Sequence, residues 1–490
     1  VSDVWGTGMS RKALATDMAF YGMLYILLRG FNMLLIPIYT RVLSQGQYGD
    51  LDLIHTGAGF VFTLLDLQFI HGFSRFYPKY KKEGRHKEFV GTMLMTPLLY
   101  ASLGAATFIG LGEAGLLEFS FMPSYTAYRT SWIAVMIAVP LHQVMDLLLM
   151  HSRMERSKRW YGAGALGHTI STGVFCILFV VVFRMEVFGV ILGQLIGRAV
   201  GVLIAWYGMR KQIAWVWQKD VFRTALAYTL PMVPGWWLGF SSSYVNRFLL
   251  YGKMGAEDVA VFALAAKGII LISLLNFAFQ LAWQPLAMGY IGEKGSTKFY
   301  VQSMRIYLSG SLFGLFALSA IAHILIKILA PDTYADAAAY LPLLAVGAVL
   351  SGVATNLQLG NQIAKKTGWM SVSSGASLII NLLVLITLIP LVGVWGAVIG
   401  MIAAGCIQWI IAYLSSRRSY AIPYDWRAFG IFFGGIAVAL MMILWLQEQI
   451  PRFVYMPLAV IIGMILAWFV FSSAERQAVV RKARALLTRN

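Results

Sequence analysis

Residues 15–40 read ATDMAFYGMLYILLRGFNMLLIPIYT, and this stretch decides the fold. It is long enough to cross a bilayer as one helix, since a hydrocarbon core takes about 20 apolar residues. Arg29 stands near its middle, and Asn32 follows one turn later on the same face. A guanidinium at that depth costs roughly 2.5–3.5 kcal/mol on insertion scales. Chains keep such a charge where it faces a bundle interior or a watery cavity, opposite an anionic ligand or a buried carboxylate.

The rest of the chain repeats that character. Of its 490 residues 59% are hydrophobic and only 12% charged, against about 25% charged in soluble domains. The fold class is therefore an all-α polytopic membrane protein. A net charge of +18 would suggest nucleic acid in a soluble protein. Here the enrichment of Lys and Arg in cytoplasmic loops accounts for it, and no nucleic-acid partner is expected. The polar start, Val1 to Lys12, lacks a charged region followed by an apolar run and a cleavage site, so no signal peptide is expected. Cys176 and Cys406 lie in apolar stretches without disulfide or metal spacing.

Apolar runs predict about 14 transmembrane helices: two six-helix lobes and two C-terminal helices. The expected N-lobe is 1–209, with spans near 15–40, 50–73, 89–111, 130–151, 161–183 and 187–209. A cytoplasmic interfacial linker, 210–224, carries Arg210, Lys211, Lys219 and Arg223 interleaved with Trp215 and Trp217. The expected C-lobe is 225–415, and 416–490 holds helices 13 and 14 and a basic tail with Arg481, Lys482, Arg484 and Arg489. Of the 39 Lys and Arg, roughly 28 fall on the side of both termini, about 6 on the other and about 5 inside spans. Both termini are then expected in the cytoplasm. A weak repeat at an offset of about 214 residues pairs Asn32 with Asn246, Leu35 with Leu249 and Tyr48 with Phe262, and sets Arg29 against Ser243.

The candidate substrate-binding residues are the cations and polar groups within spans: Arg29, Arg198, Lys267, Arg247, Asn32 and Gln194. Arg247 and Arg305 lie nearer span ends, where snorkelling to head groups is an equal reading. Gln194 precedes Arg198 by one turn beside a row of Gly189, Gly193, Gly197 and Gly201, a spacing that lets a neighbouring backbone approach closely. Asp66, Asp146 and His142 are the ion-coupling candidates, for a proton or a sodium ion, and the equal alternative is that the two carboxylates neutralise Arg29 and Arg198. Asp52 is weaker evidence, near the outer surface. Pro231, Pro234 and Gly235 predict a kinked gating or hinge segment. No catalytic or metal-ligating pattern is present in the sequence and no further cofactor is expected, so the chain reads as a transporter and not an enzyme.

Three stretches carry a resemblance to a known family. Asn381–Val398 reads NLLVLITLIPLVGVWGAV, Pro37–Gly49 reads PIYTRVLSQGQYG, and Tyr334–Leu344 reads YADAAAYLPLL. Together with span number and basic-loop placement they resemble the Wzx-like polysaccharide flippases of the multidrug/oligosaccharidyl-lipid/polysaccharide exporter superfamily. The resemblance implies a two-lobed bundle exposing a cationic central cavity alternately to each side of the inner membrane. The implied substrate is an undecaprenyl-pyrophosphate-linked oligosaccharide moved from the cytoplasmic to the periplasmic leaflet. Membrane lipids, a polysaccharide polymerase and a chain-length regulator are the implied partners. A drug or cation antiporter and a lipid II flippase of the same superfamily are the near alternatives. A polytopic polymerase or glycosyltransferase is the alternative of another class, and the short outer loops argue against it.

Overall fold

The computed structural model describes residues 11–366, 368–446 and 449–477. Residues 1–10, the basic tail at Arg481, Lys482, Arg484 and Arg489, and the Ser243 side chain lie outside the described residues. Among those described there is no strand. Internal contacts divide the chain into two compact units, Val1–Ala260 and Val261–Asn490. The 210–224 connector therefore lies inside the first unit, together with the helix that follows it.

In the first unit the helices are α1 (Arg11–Leu34), α2 (Ile36–Val42), α3 (Gln45–Leu65), α4 (Phe69–Lys82) and α5 (His86–Glu113), then α6 (Arg129–Met154), α7 (Lys158–Ile177), α8 (Glu186–Met209), α9 (Lys219–Thr229) and α10 (Val233–Met254). α11 (Ala256–Gly268) starts at the end of this unit. Ser44 opens α3 with a capping box: its hydroxyl accepts the Gln47 N–H while the Gln47 side chain accepts the Ser44 N–H. α3 and α4 meet at 43°. The break is built by Asp66, whose carboxylate accepts the Gln68 backbone N–H at 2.8 Å and its side-chain amide at 2.7 Å. That turn lets Gln68 take φ 58° and supplies a partner for backbone freed by the bend. The core beneath it is aromatic, with Phe69, Phe73, Tyr77, Tyr80 and Phe89 buried against Leu147 and Leu148.

The basic connectors of this unit meet at one end. Lys81 pairs with Glu155, Arg85 pairs with Asp220 at 3.2 Å, and the Ala214 N–H donates to Lys87 O at 3.0 Å. Burial works against the Glu155 charge, yet the Lys81 ammonium and the Tyr77 hydroxyl hold its carboxyl below the usual range. At the opposite end Arg129 pairs with Glu113 at 2.7 Å and the Tyr128 hydroxyl donates to Asp50 at 2.6 Å. Residues 213–218 run without helix along α5: Thr92 Oγ1 donates to Val216 O at 3.1 Å and accepts the Gln218 N–H at 3.0 Å.

The second unit takes in the rest of α11, then α12 (Ile270–Gly289), α13 (Ser296–Leu329), α14 (Ala337–Leu357), α15 (Leu359–Ile363), α16 (Gly368–Val392), α17 (Val394–Ser419), α18 (Trp426–Met441) and α19 (Arg452–Val470). α14 is buried along most of its length between α13 and α17, and α19 packs on α13. The turn from α16 to α17 needs Gly393, which sits at φ 59° and ψ −132°, a conformation that favours glycine. This turn is the centre of the 381–398 motif, and Trp395 just beyond it meets Tyr340 edge-on at 5.0 Å. Two of the three recognised stretches thus touch. Arg305 pairs with Asp425 at 2.7 Å and with Glu475 at 3.0 Å, so a cation for which snorkelling was an equal reading is held by two carboxylates.

Among the described residues twelve helices are long and apolar enough to cross a membrane, or thirteen with α3 and α4 taken as one bent span. The expected number was about 14. The remaining expected span, 225–250, falls on α9, a 3-10 turn at Leu230–Met232, and α10. α10 has 22 residues but is not among the twelve. Its tryptophans, serines, Tyr244, Asn246 and Arg247 dilute its apolar surface.

Candidate functional site

α8 sets the position of the first group of candidates. Its glycine row is buried against α7: a Cβ on Gly197 would lie 2.2 Å from Thr172 Oγ1, and one on Gly193 2.6 Å from the Cys176 backbone nitrogen. Only a side chain reduced to hydrogen allows this approach, the small-residue packing common between membrane helices. The seam carries Arg198, half-buried, beside His168 of α7 and the His142–Asp146 pair of α6. Arg198 interacts electrostatically with Asp146, His142 and His168. His142 Nε2 lies 3.7 Å from Asp146 Oδ2, and its ring stacks on Phe62 of α3 at 4.5 Å. Asp66 interacts with Asp146 in turn, and the two face a cavity of about 30 Å³ shared with Tyr100 and Gln143. That is space for about one or two waters. Tyr100 donates to Gln143 Oε1 at 2.8 Å, and Gln143 Nε2 donates to Leu65 O at 3.2 Å, next to the break in the α3–α4 span.

Four expected residues, Arg198, Asp66, Asp146 and His142, are therefore brought together, with Gln194 half-buried one turn before Arg198. His168, Tyr100 and Gln143 join them. Sequence reasoning passed over these three because it weighed charged groups first, although Gln143 adjoins His142 and His168 has Thr172 of its own helix at 3.4 Å.

Arg247 has a different neighbourhood. Its Nε donates to Asp52 Oδ2 at 2.7 Å, both side chains are nearly fully buried, and its guanidinium lies 5.0 Å from the centre of the Tyr244 ring. The pair joins α10 to α3, and Trp237 Nε1 adds a 2.7 Å bond to Thr63 O further along the same two helices. Arg29 and Asn32 are exposed on α1, Asn246 is fully buried on α10, and Lys267 is half-buried in the last turn of α11 in the second unit. Pro231 lies in the 3-10 turn before α10, while Pro234 and Gly235 lie in its first turn. A missing N–H costs nothing in a first turn, so these prolines mark a junction between two helices.

A bundle of membrane-length helices with a broken second span and a charged group inside its first unit is the frame of a multi-pass membrane protein. Similarity to solved structures agrees on the fold. A lipid II flippase, MurJ, in its inward closed conformation aligns with a TM-score of 0.71 and 10% identity over 93% of this chain and 99% of that one. A MATE protein in complex with MaL6 aligns with a TM-score of 0.61 and 13% identity, over 82% and 95%. A MOP superfamily transporter from Pyrococcus furiosus gives 0.60 and 15%, also over 82% and 95%. No curated protein matches the chain by sequence. Residues 14–289 match the family described as polysaccharide biosynthesis protein, and the chain belongs to that family.

Proposed function

We propose that this chain is a flippase, not an enzyme, that moves undecaprenyl-pyrophosphate-linked oligosaccharide units across the inner membrane for surface polysaccharide synthesis. It does so by alternating access, from the cytoplasmic to the periplasmic leaflet. The observation that carries this reading is the family match over 14–289, which contains both Arg29 and Arg198, in a chain with the flippase and exporter fold. Arginine binds phosphate oxygens in directional, often bidentate pairs, and few other ligands repay its placement inside an apolar span. The basic connectors gathered at one end of the first unit support a cytoplasmic placement of that end and of both termini.

The polar group on α6 and α8 suits an energy-coupling role. Asp146 lies in the field of Arg198, Asp66 and Arg153, and the two neighbouring carboxylates are the place for uptake of a proton or a sodium ion. A bound pyrophosphate competes with Asp146 for Arg198, which links uptake of the cation to release of the anion. Polymerase and chain-length regulator act on the delivered units as partners.

The test is genetic and biochemical. Deleting the gene should leave complete lipid-linked units on the inner leaflet, and unpolymerised units outside would instead indicate a polymerase. Arg29→Ala and Arg198→Ala should each abolish surface polysaccharide while the protein still inserts. Normal polymer in both variants would sink the phosphate assignment. A reporter strain that accumulates lipid II instead would point to the lipid II flippase reading.

A further inference from the structure

The second unit carries a polar face with no part in the scheme above. On α12, Ser273, Asn276, Gln280 and Gln284 recur every three or four residues along one side of a helix that is otherwise almost wholly apolar. Ser273 and Gln284 are exposed, and Asn276 and Gln280 are half-buried. The amides rest on a fixed support. Gln280 Nε2 donates to Asn356 Oδ1 of α14 at 3.0 Å, and Asn356 Nδ2 donates to Gly352 O at 3.0 Å. From α13, the Tyr307 hydroxyl donates to Asn276 Oδ1 at 3.3 Å. Phe279 packs its ring on Tyr307 at 4.9 Å, which holds α12 in register with α13.

These bonds do not exhaust the amides, since each has two donors and an acceptor. Gln280 Oε1 and Asn276 Nδ2 have no partner among the described residues. A face of this kind is costly against lipid and useful against a polar ligand. Its groups carry no charge, so a phosphate or a bare cation would find no countercharge here. Paired donors and acceptors on rigid supports instead match the hydroxyl and acetamido groups of sugars. We infer that the face made by Asn276, Gln280 and Gln284 binds the uncharged sugar residues of the lipid-linked substrate. This inference rests on the flippase reading and deepens it: the first unit holds the pyrophosphate and the second reads the sugar.

Two probes separate the parts: undecaprenyl pyrophosphate, and the same lipid bearing one N-acetylglucosamine. Calorimetry on the full chain in lipid nanodiscs should give tighter binding of the glycosylated probe. Gln280→Leu and Gln284→Leu should each raise its Kd about three- to tenfold, with binding of the bare lipid unchanged. Gln284 is exposed, so that variant keeps the test open if Gln280→Leu fails to fold. Equal weakening of both probes, or of neither, overturns the assignment. So does binding of the sugar probe that requires sodium and loses that requirement in the variants, since the site would then hold a cation. If the unaltered protein binds only the bare lipid, the sugar site fails while the flippase reading stands. If it binds neither probe, the flippase reading itself fails.

Discussion

Arg247 and Arg198 are both deep arginines, and their surroundings give them different work. Arg247 is locked to Asp52 at 2.7 Å in a nearly closed environment. Removing one partner of a buried pair strands the other charge, at a cost of about 3–5 kcal/mol. Arg247→Ala should therefore lower the thermal unfolding midpoint of the detergent-purified protein sharply, and adding Asp52→Asn should recover most of the loss. A double variant no more stable than Arg247→Ala would show that the pair is not the source. Arg198 instead shares its field among Asp146, His142 and His168. Asp146 is the carboxylate in its field, and among the described residues Arg198 closes no ion pair, so an incoming phosphate finds the guanidinium unlocked. The partners are invisible in sequence, where Arg198 read as deep and Arg247 as nearer a span end.

At the scale of elements, the α7–α8 seam is the device that places Arg198. A Cβ at Gly197 would meet Thr172 backbone and hydroxyl at 2.5 Å and 2.2 Å, and neither can yield without separating the helices. Gly197→Ile should reduce the yield of folded protein and cost about 1–3 kcal/mol or more. Gly310 on α13 offers the control, because a Cβ there meets nothing within 4 Å. Gly310→Ala should be neutral or stabilising by about 0.5–1 kcal/mol. Equal losses in the two variants, read from size-exclusion recovery and melting, would exclude the seam as the cause. The glycine row was legible because its four-residue spacing is local to one helix. The partner it admits, and so the position of Arg198 beside His168, was not.

For the whole molecule, the division of charge predicts topology. Reporters fused at Glu83, Ser157 and Gln212 should all report cytoplasm, and one at Ser120 should report the opposite side. A cytoplasmic signal at Ser120 would contradict the sidedness drawn from the basic connectors. Those connectors are far apart in sequence, yet Lys81 reaches Glu155 and Arg85 reaches Asp220.

By itself the sequence determined the class of fold, the approximate spans, the glycine seam and the list of deep polar residues. All of these follow from composition and from periodicity within single helices. It read residues 225–250 as one run where the structure has α9, a 3-10 turn and α10, and it smoothed over the break at Asp66, whose turn depends on where the backbone finds partners. Only the tertiary structure decided which charges meet. It sent Arg247 to Asp52, gathered Arg198, His142, His168 and Asp146, and set the amides of α12 on Asn356 and Tyr307. The physical reason is range: burial and helical period act on neighbours along the chain, whereas charge pairing depends on helices that sequence distance does not relate. Arg29, where the chain first declared itself a membrane protein, is exposed on α1, and that exposure, fixed by packing, keeps it among the residues proposed to meet phosphate.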